Sequence, residues 1–234
     1  MTLALLVPPG TLAAGATVAP DDEEQQHLRV RRPRDGEPVT LLDGAGVRAT
    51  GVLRLAGRAA SVAVEAVERV AEPVPLVLGV GAGDRDRWLW LVEKATELGV
   101  TRLVPLETVR SGSVATHVRG EHRPKLARRA REALKQCGGA WAPAIDVPQP
   151  LADFAVAATG TRWLAAADGA MATAVGAAEP MTVAVGPEGG FEPAEARALE
   201  AAGFRRVRLG SRVLRFETAA LAAAAMVAMA RHEG

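Results

Sequence analysis

The sequence holds a single cysteine, Cys137, four histidines and no tyrosine. One thiol excludes an intrachain disulfide framework and a zinc site built from clustered cysteines. The histidines (His27, His117, His122 and His232) show no His-x-x-x-His pairing, so no dedicated metal site is expected. Aromatic residues make up only 3%, which leaves the core to Ala, Val and Leu. The longest apolar run, Ala219 to Ala230, falls well short of the ~20 residues of a membrane span and reads as a buried helix. No basic residue precedes the apolar start Met1–Pro8, unlike a secretory signal. A soluble cytoplasmic protein without a membrane partner is therefore expected. Neither the Gly-x-Gly-x-x-Gly dinucleotide fingerprint nor the phosphate loop ending in Gly-Lys-Ser/Thr occurs, which counts against NAD and ATP enzymes.

What is present is an ordinary globular balance of 49% apolar and 24% charged residues over 234 positions, room for one large domain or two small ones. The pattern changes near Glu72-Pro73-Val74-Pro75. Before it, Val39–Leu42 leads through Asp43-Gly44-Ala45-Gly46 into Val47–Leu55. A turn of that type between two apolar runs signals a hairpin. Ser61–Glu65 continues the period-two alternation, so residues 1–72 read as a small, mostly β domain. After it, strands near 76–80, 103–106, 163–167, 182–185 and 207–209 alternate with helices near 86–98, 122–137, 193–202 and 214–230. That order predicts a parallel sheet covered on both faces, spanning 73–234. Ligands of such sheets bind beyond the carboxyl ends of the strands.

The formal net charge is +1, which excludes a uniformly basic nucleic-acid binder. The charge is unevenly spread, however, and residues 102–135 carry nine basic side chains against three acidic ones. In the helix from Pro124, helical spacing places Leu126, Ala130, Ala133, Leu134 and Cys137 on one face. Arg123, Lys125, Arg128, Arg129, Arg131 and Lys135 fall elsewhere, and only Glu132 offsets them. A solvated surface is the plain reading of such a helix, and contact with RNA phosphates is the functional one.

Two strand-to-helix loops stand out. Val185-Gly186-Pro187-Glu188-Gly189-Gly190-Phe191 is one, and Leu209-Gly210-Ser211-Arg212-Val213-Leu214-Arg215-Phe216-Glu217-Thr218 is the other. Glycines there let the backbone turn sharply and approach a ligand. Lys94–Val100 precedes them in order, and so do Arg110-Ser111 and Glu132-Ala133-x-x-Gln136-Cys137-Gly138. Near the amino terminus stand His27-Leu28-Arg29-Val30-x-Arg32 and Asp43-Gly44. Together these motifs resemble the bacterial 16S ribosomal RNA uridine-N3 methyltransferases, the small-subunit methyltransferase E family of the SPOUT class, over nearly the whole chain.

The resemblance implies an α/β fold: a SPOUT-type parallel sheet with a carboxy-terminal deep trefoil knot, preceded by a PUA-like β-barrel. It also implies a homodimer acting on 16S ribosomal RNA or the assembled small subunit, with S-adenosylmethionine as methyl donor and no metal. Leu164, Ala166, Gly186, Pro187, Gly189, Gly190, Leu209, Gly210, Val213 and Leu214 would hold the donor. Arg29, Arg32, Arg123, Arg128 and Arg129 would meet RNA. Uridine N3 must lose its proton before its lone pair can attack, so a base or a cation that stabilises the uridine anion is required. Arg110 and Arg215 are the candidate cations. Glu188 is either the proton acceptor or a carboxylate satisfying free N–H groups at the helix start near Phe191. Glu217 is expected as a cap or ion-pair partner. Another SPOUT methyltransferase (ribose 2′-O or a different base), a non-catalytic RNA-binding or assembly factor, and a metabolic α/β protein are the alternatives.

Overall fold

The computed structural model describes residues 3–57, 59–113, 115–173, 176 and 178–232. The chain packs as two units, one of residues up to 72 with 131–142, the other of 73–130 with 143 onward. Residues 131–142 thus pack with the first unit, although they lie beyond the division expected near residue 72.

The first unit contains β1 (Leu3–Leu6), β2 (Thr17–Val18), α1 (Asp22–Arg31), β3 (Pro38–Leu42), β4 (Val47–Ala56) and β5 (Ala59–Arg69). Its strands pair in the order β1-β3-β4-β5-β2, with β1 and β3 parallel and the other neighbours antiparallel. The β3–β4 hairpin forms as the Asp-Gly signal predicts, with Leu42 opposite Arg48. The Asp43 carboxylate holds the turn by accepting the N–H groups of Ala45 and Val47 at 2.8 and 2.9 Å. Leu5, Leu41, Leu53 and Val62 are fully buried in the core of this unit.

Helix α1 departs from the mostly β expectation. Asp21 caps it by accepting the Glu24 N–H at 2.9 Å, and Asp22, Glu23 and Glu24 complement the positive end of its dipole. Glu24 is itself buried, and Lys135 Nζ meets its carboxylate at 2.6 Å. Cys137, expected on the apolar face of its helix, is exposed because the helix ends there, and its Sγ turns back toward the Leu134 carbonyl.

The second unit carries β6 (Leu76–Gly81), α2 (Arg85–Glu97), β7 (Arg102–Glu107), the first half of α3 (Arg123–Cys137), β8 (Ala144–Ile145) and β9 (Gln149–Pro150). It continues with α4 (Leu151–Ala157), β10 (Thr161–Met171), β11 (Met181–Val185), α5 (Pro193–Ala201), β12 (Arg205–Arg208) and α6 (Phe216–His232). The strand order is β12-β10-β11-β6-β7-β8, parallel throughout, with β9 also pairing β7. One apolar cluster joins the sheet to α2, α6 and the start of α3 through Trp88, Leu91, Leu126, Ala220, Ala223 and Ala224. The other joins it to α4 and α5 through Phe154, Leu199 and Phe204. Cover on both faces is why β11 is buried at every residue. Strand β10 is longer than the expected 163–167, and β12 ends one residue before the expected 207–209. Among the described residues no helix is long and apolar enough to cross a membrane.

Candidate active site

The site is built at the carboxyl ends of β11 and β12 and along the middle of β10, where its pairing with β12 shifts register. A cavity of about 540 Å³ lies there, walled by Leu164–Ala167, Val185–Phe191, Arg208–Gly210 and Arg212–Phe216. All ten residues expected to hold the donor face it: Leu164, Ala166, Gly186, Pro187, Gly189, Gly190, Leu209, Gly210, Val213 and Leu214. Glu188 and Arg215 line it as well.

The loop after β11 is compact because side chains are missing at its crossing points. A Cβ on Gly186 would stand 2.8 Å from the backbone of Gly190 and Phe191, and one on Gly81 would stand 2.4 Å from Pro187 N. The Gly190 N–H closes the turn on the Pro187 carbonyl at 2.8 Å, with Gly190 in the left-handed region at φ 71°. In the loop after β12, Leu214 packs against the apolar cluster beneath α6. The Arg215 carbonyl then accepts the Ala219 N–H at 2.8 Å as α6 begins.

Five arginines line the cavity: Arg87, Arg206, Arg208, Arg212 and Arg215. Two are neutralised within the unit. Arg87 Nη1 meets Glu217 Oε1 at 3.2 Å, with Glu217 buried. This is the ion-pair role expected of Glu217. Arg206 is held by Glu200 at 2.9 Å and Asp168 at 3.0 Å. These acceptors raise its guanidinium pKa further, and Arg206 in turn holds the Asp168 carboxyl below the usual range. Arg208 Nε is buried and makes no hydrogen bond among the described residues. The exposed guanidiniums of Arg212 and Arg215 have no partner among the described residues. Arg206 and Arg208 flank the buried Val207 in β12, and this alternation in the sequence is the signal that could have found them.

Glu188 is exposed, and its Oε1 accepts the Asp84 N–H at 3.0 Å. It therefore serves the start of α2, where Asp84 is the N-cap, and not the helix after Phe191. That helix, α5, carries its own capping box of Glu192 and Glu195. Arg110 stands behind the loop, outside the cavity wall. Its Nε donates to Glu192 Oε1 at 2.8 Å and its Nη1 donates to the Gly189 carbonyl.

The residues expected at RNA belong to different parts of the chain. In the first unit, Arg29 donates to Gln26 Oε1 at 3.1 Å, and Arg32 ends α1 at φ 54°. On α3, Arg123 Nε donates to the Ile145 carbonyl at 2.7 Å, and Arg129 meets Glu93 at 3.2 Å. Arg128 is exposed and also engaged. Among the described residues no group of three or more His, Cys, Asp or Glu side chains is placed to hold a metal ion.

A family model described as an RNA methyltransferase domain matches residues 70–228. The chain is 33% identical to the ribosomal RNA small subunit methyltransferase E of Mycobacterium bovis, covering 89% of this chain and 85% of that protein. A protein of the same name from Synechocystis is 28% identical, covering 91% of this chain and 73% of the relative. Among solved structures, the small subunit methyltransferase E of Neisseria gonorrhoeae, bound to S-adenosylmethionine, superposes with a TM-score of 0.86 at 26% identity, covering 96% of both chains. A methyltransferase of Legionella pneumophila holding the same cofactor gives 0.82, also at 26% identity, covering 98% of both. Since the family model spans more than half of the sequence and the mycobacterial relative aligns along most of both proteins, this chain belongs to the ribosomal RNA small subunit methyltransferase E family.

Proposed function

We propose that the chain methylates N3 of a uridine in 16S ribosomal RNA, with S-adenosylmethionine as donor. The observation that carries this reading is the convergence of segments 164–167, 186–190 and 209–214 on one cavity. The lining suits the donor. Leu164, Val185, Leu209 and Leu214 offer an apolar wall to adenine, and the glycine-lined backbone leaves its N–H and C=O groups accessible. The buried, unpartnered Nε of Arg208 suits the carboxylate of the methionine tail.

When bound, the donor supplies an already activated methyl group, so the chain's work is orientation and charge control. Arg215, free of any acidic partner among the described residues, stabilises the negative charge that grows on the uracil as N3 gives up its proton. Glu188 accepts that proton or its hydrogen bond at the cavity wall. Arg110 acts through the loop by fixing the Gly189 carbonyl.

In this reading residues 1–72 form a PUA-like β-barrel that binds RNA through Arg29 and Arg32, and 73–234 form the SPOUT methyltransferase domain. Arg123, Arg128 and Arg129 add phosphate contacts from α3. A trefoil knot accords with the strand order, since the chain leaves the outer strand β12 and returns through α6 to pack against β6 and β11. The enzyme works as a cytoplasmic homodimer, on free 16S RNA or on the assembled subunit. The test is transfer of tritiated methyl to small subunits and to free 16S RNA, followed by identification of the labelled nucleoside. 3-Methyluridine is expected. A ribose 2′-O-methylated product, or no transfer, overturns the reading.

A further inference from the structure

A second cavity, of about 370 Å³, lies beyond the carboxyl ends of β6 and β7, lined in part by Glu107, Ser111, His117, Val118, Arg119 and Val147. We propose that it is a subsite for a nucleotide of the RNA adjoining the target uridine, an inference that rests on the function proposed above.

Position is the first argument. Strands β6 and β7 follow β11 directly in the sheet, so both cavities open on the same edge. Hydrogen bonds also link their walls. Gly83 accepts the Val118 N–H at 3.0 Å, the Thr116 carbonyl accepts the Arg85 N–H at 3.0 Å, and the Thr116 hydroxyl donates to Asp84 at 2.5 Å. The Asp84 N–H is in turn bound to Glu188, which lines the first cavity. The segment carrying His117 and Val118 is thus fastened to the residues that hold Glu188. A polynucleotide with its uridine in the first cavity meets the second along this strip.

Chemistry is the second argument. Arg119 is exposed and pairs with no acid among the described residues, where its guanidinium donates only to His117 Nε2 at 3.4 Å. That leaves most of its donors for a phosphate. Val118, Val147 and Pro148 give an apolar wall for a base. The exposed Glu107 carboxylate, without a partner among the described residues, accepts from base N–H or ribose hydroxyl groups. A free phosphate needs neither the wall nor the carboxylate. The volume falls within the ~300–1,000 Å³ typical of ligand cavities.

Two variants test the proposal. Arg119→Ala removes the cation. Gly112→Trp fills the cavity from a position where a Cβ meets no atom within 4 Å and the backbone needs no glycine conformation. Small-subunit affinity is measured by filter binding with donor saturating, and donor affinity by calorimetry. Each variant is expected to weaken subunit binding by about tenfold with donor affinity unchanged, and Arg119→Lys restores part of the loss. Unchanged subunit affinity in both variants overturns the subsite, and so does a parallel fall in donor affinity. A wild-type protein that neither binds the donor nor methylates RNA instead refutes the underlying function, a separable outcome.

Discussion

Gly186 has backbone on both sides of the position where a side chain would begin. Its missing Cβ leaves room for Gly190 and Phe191, and backbone at 2.8 Å cannot swing aside as a side-chain tip can. Gly186→Ala should therefore push the 186–190 loop into the cavity and lower donor affinity by at least about tenfold, read by calorimetry, with the protein still folded. Gly190 differs, because a Cβ there meets nothing within 4 Å and the cost of substitution is its left-handed backbone alone. Substitutions at Arg215 and Glu188 test the proposed charge stabilisation apart from the proposed proton acceptance. Arg215→Ala should lower kcat by roughly 10²–10³ while donor affinity stays, and Arg215→Lys should recover part of it. Glu188→Gln keeps an acceptor for the Asp84 N–H but loses the basic carboxylate. Wild-type kcat in that variant would reduce Glu188 to a wall residue.

Helix α2 begins on Asp84, whose carboxylate accepts the N–H groups of Asp86 and Arg87 at 3.0 and 3.1 Å. The Thr116 hydroxyl, with help from those N–H groups, holds this carboxyl below its ordinary range. A depressed folded pKa contributes stability above the unfolded value of about 3.9 and loses it as pH falls through the lower folded value. Asp84→Ala should cost about 1 kcal/mol at neutral pH. Asp84→Asn should flatten the stability profile below about pH 4 in denaturant melts; an unaltered acid limb would show that the cap carries none of it. The elements that sequence made legible are those with strong local patterns: the buried run of β11, the Asp43–Gly44 hairpin and the amphipathic α3. Helix α1 buries only Glu24 and Leu28, too few apolar positions to set a period, so its capping by Asp21 is its only clear signature. Strands β8 and β9 have two residues each and exist because β7 offers them an edge. The glycine loops of the site were readable at strand–helix junctions. Arg87 was not, because it reaches the cavity only through the packing of α2.

At the scale of the molecule, pairing across long sequence distances sets what local patterns miss. Residues 131–142 join the first unit through contacts such as Gly46 N–H to the Ala140 carbonyl at 3.0 Å and Trp141 Nε1 to the Val70 carbonyl at 3.1 Å. A boundary read at one point in the chain could not include them. Charge behaves the same way. With 28 basic and 27 acidic residues, the whole protein exerts little net attraction on RNA, which directs the test to local concentrations of charge such as α3. Arg129 is a poor probe of that patch, since it is tied to Glu93 and its removal also disturbs packing with α2. Lys125 and Arg128 are exposed on the same helix. If both meet phosphates, Lys125→Gln with Arg128→Gln should reduce the slope of log affinity against log salt by about 1.4–1.8. Donor affinity should not move, because neither residue borders that cavity. An unchanged salt slope for small-subunit binding would make this face of α3 a solvated surface and assign the phosphate contacts to other residues.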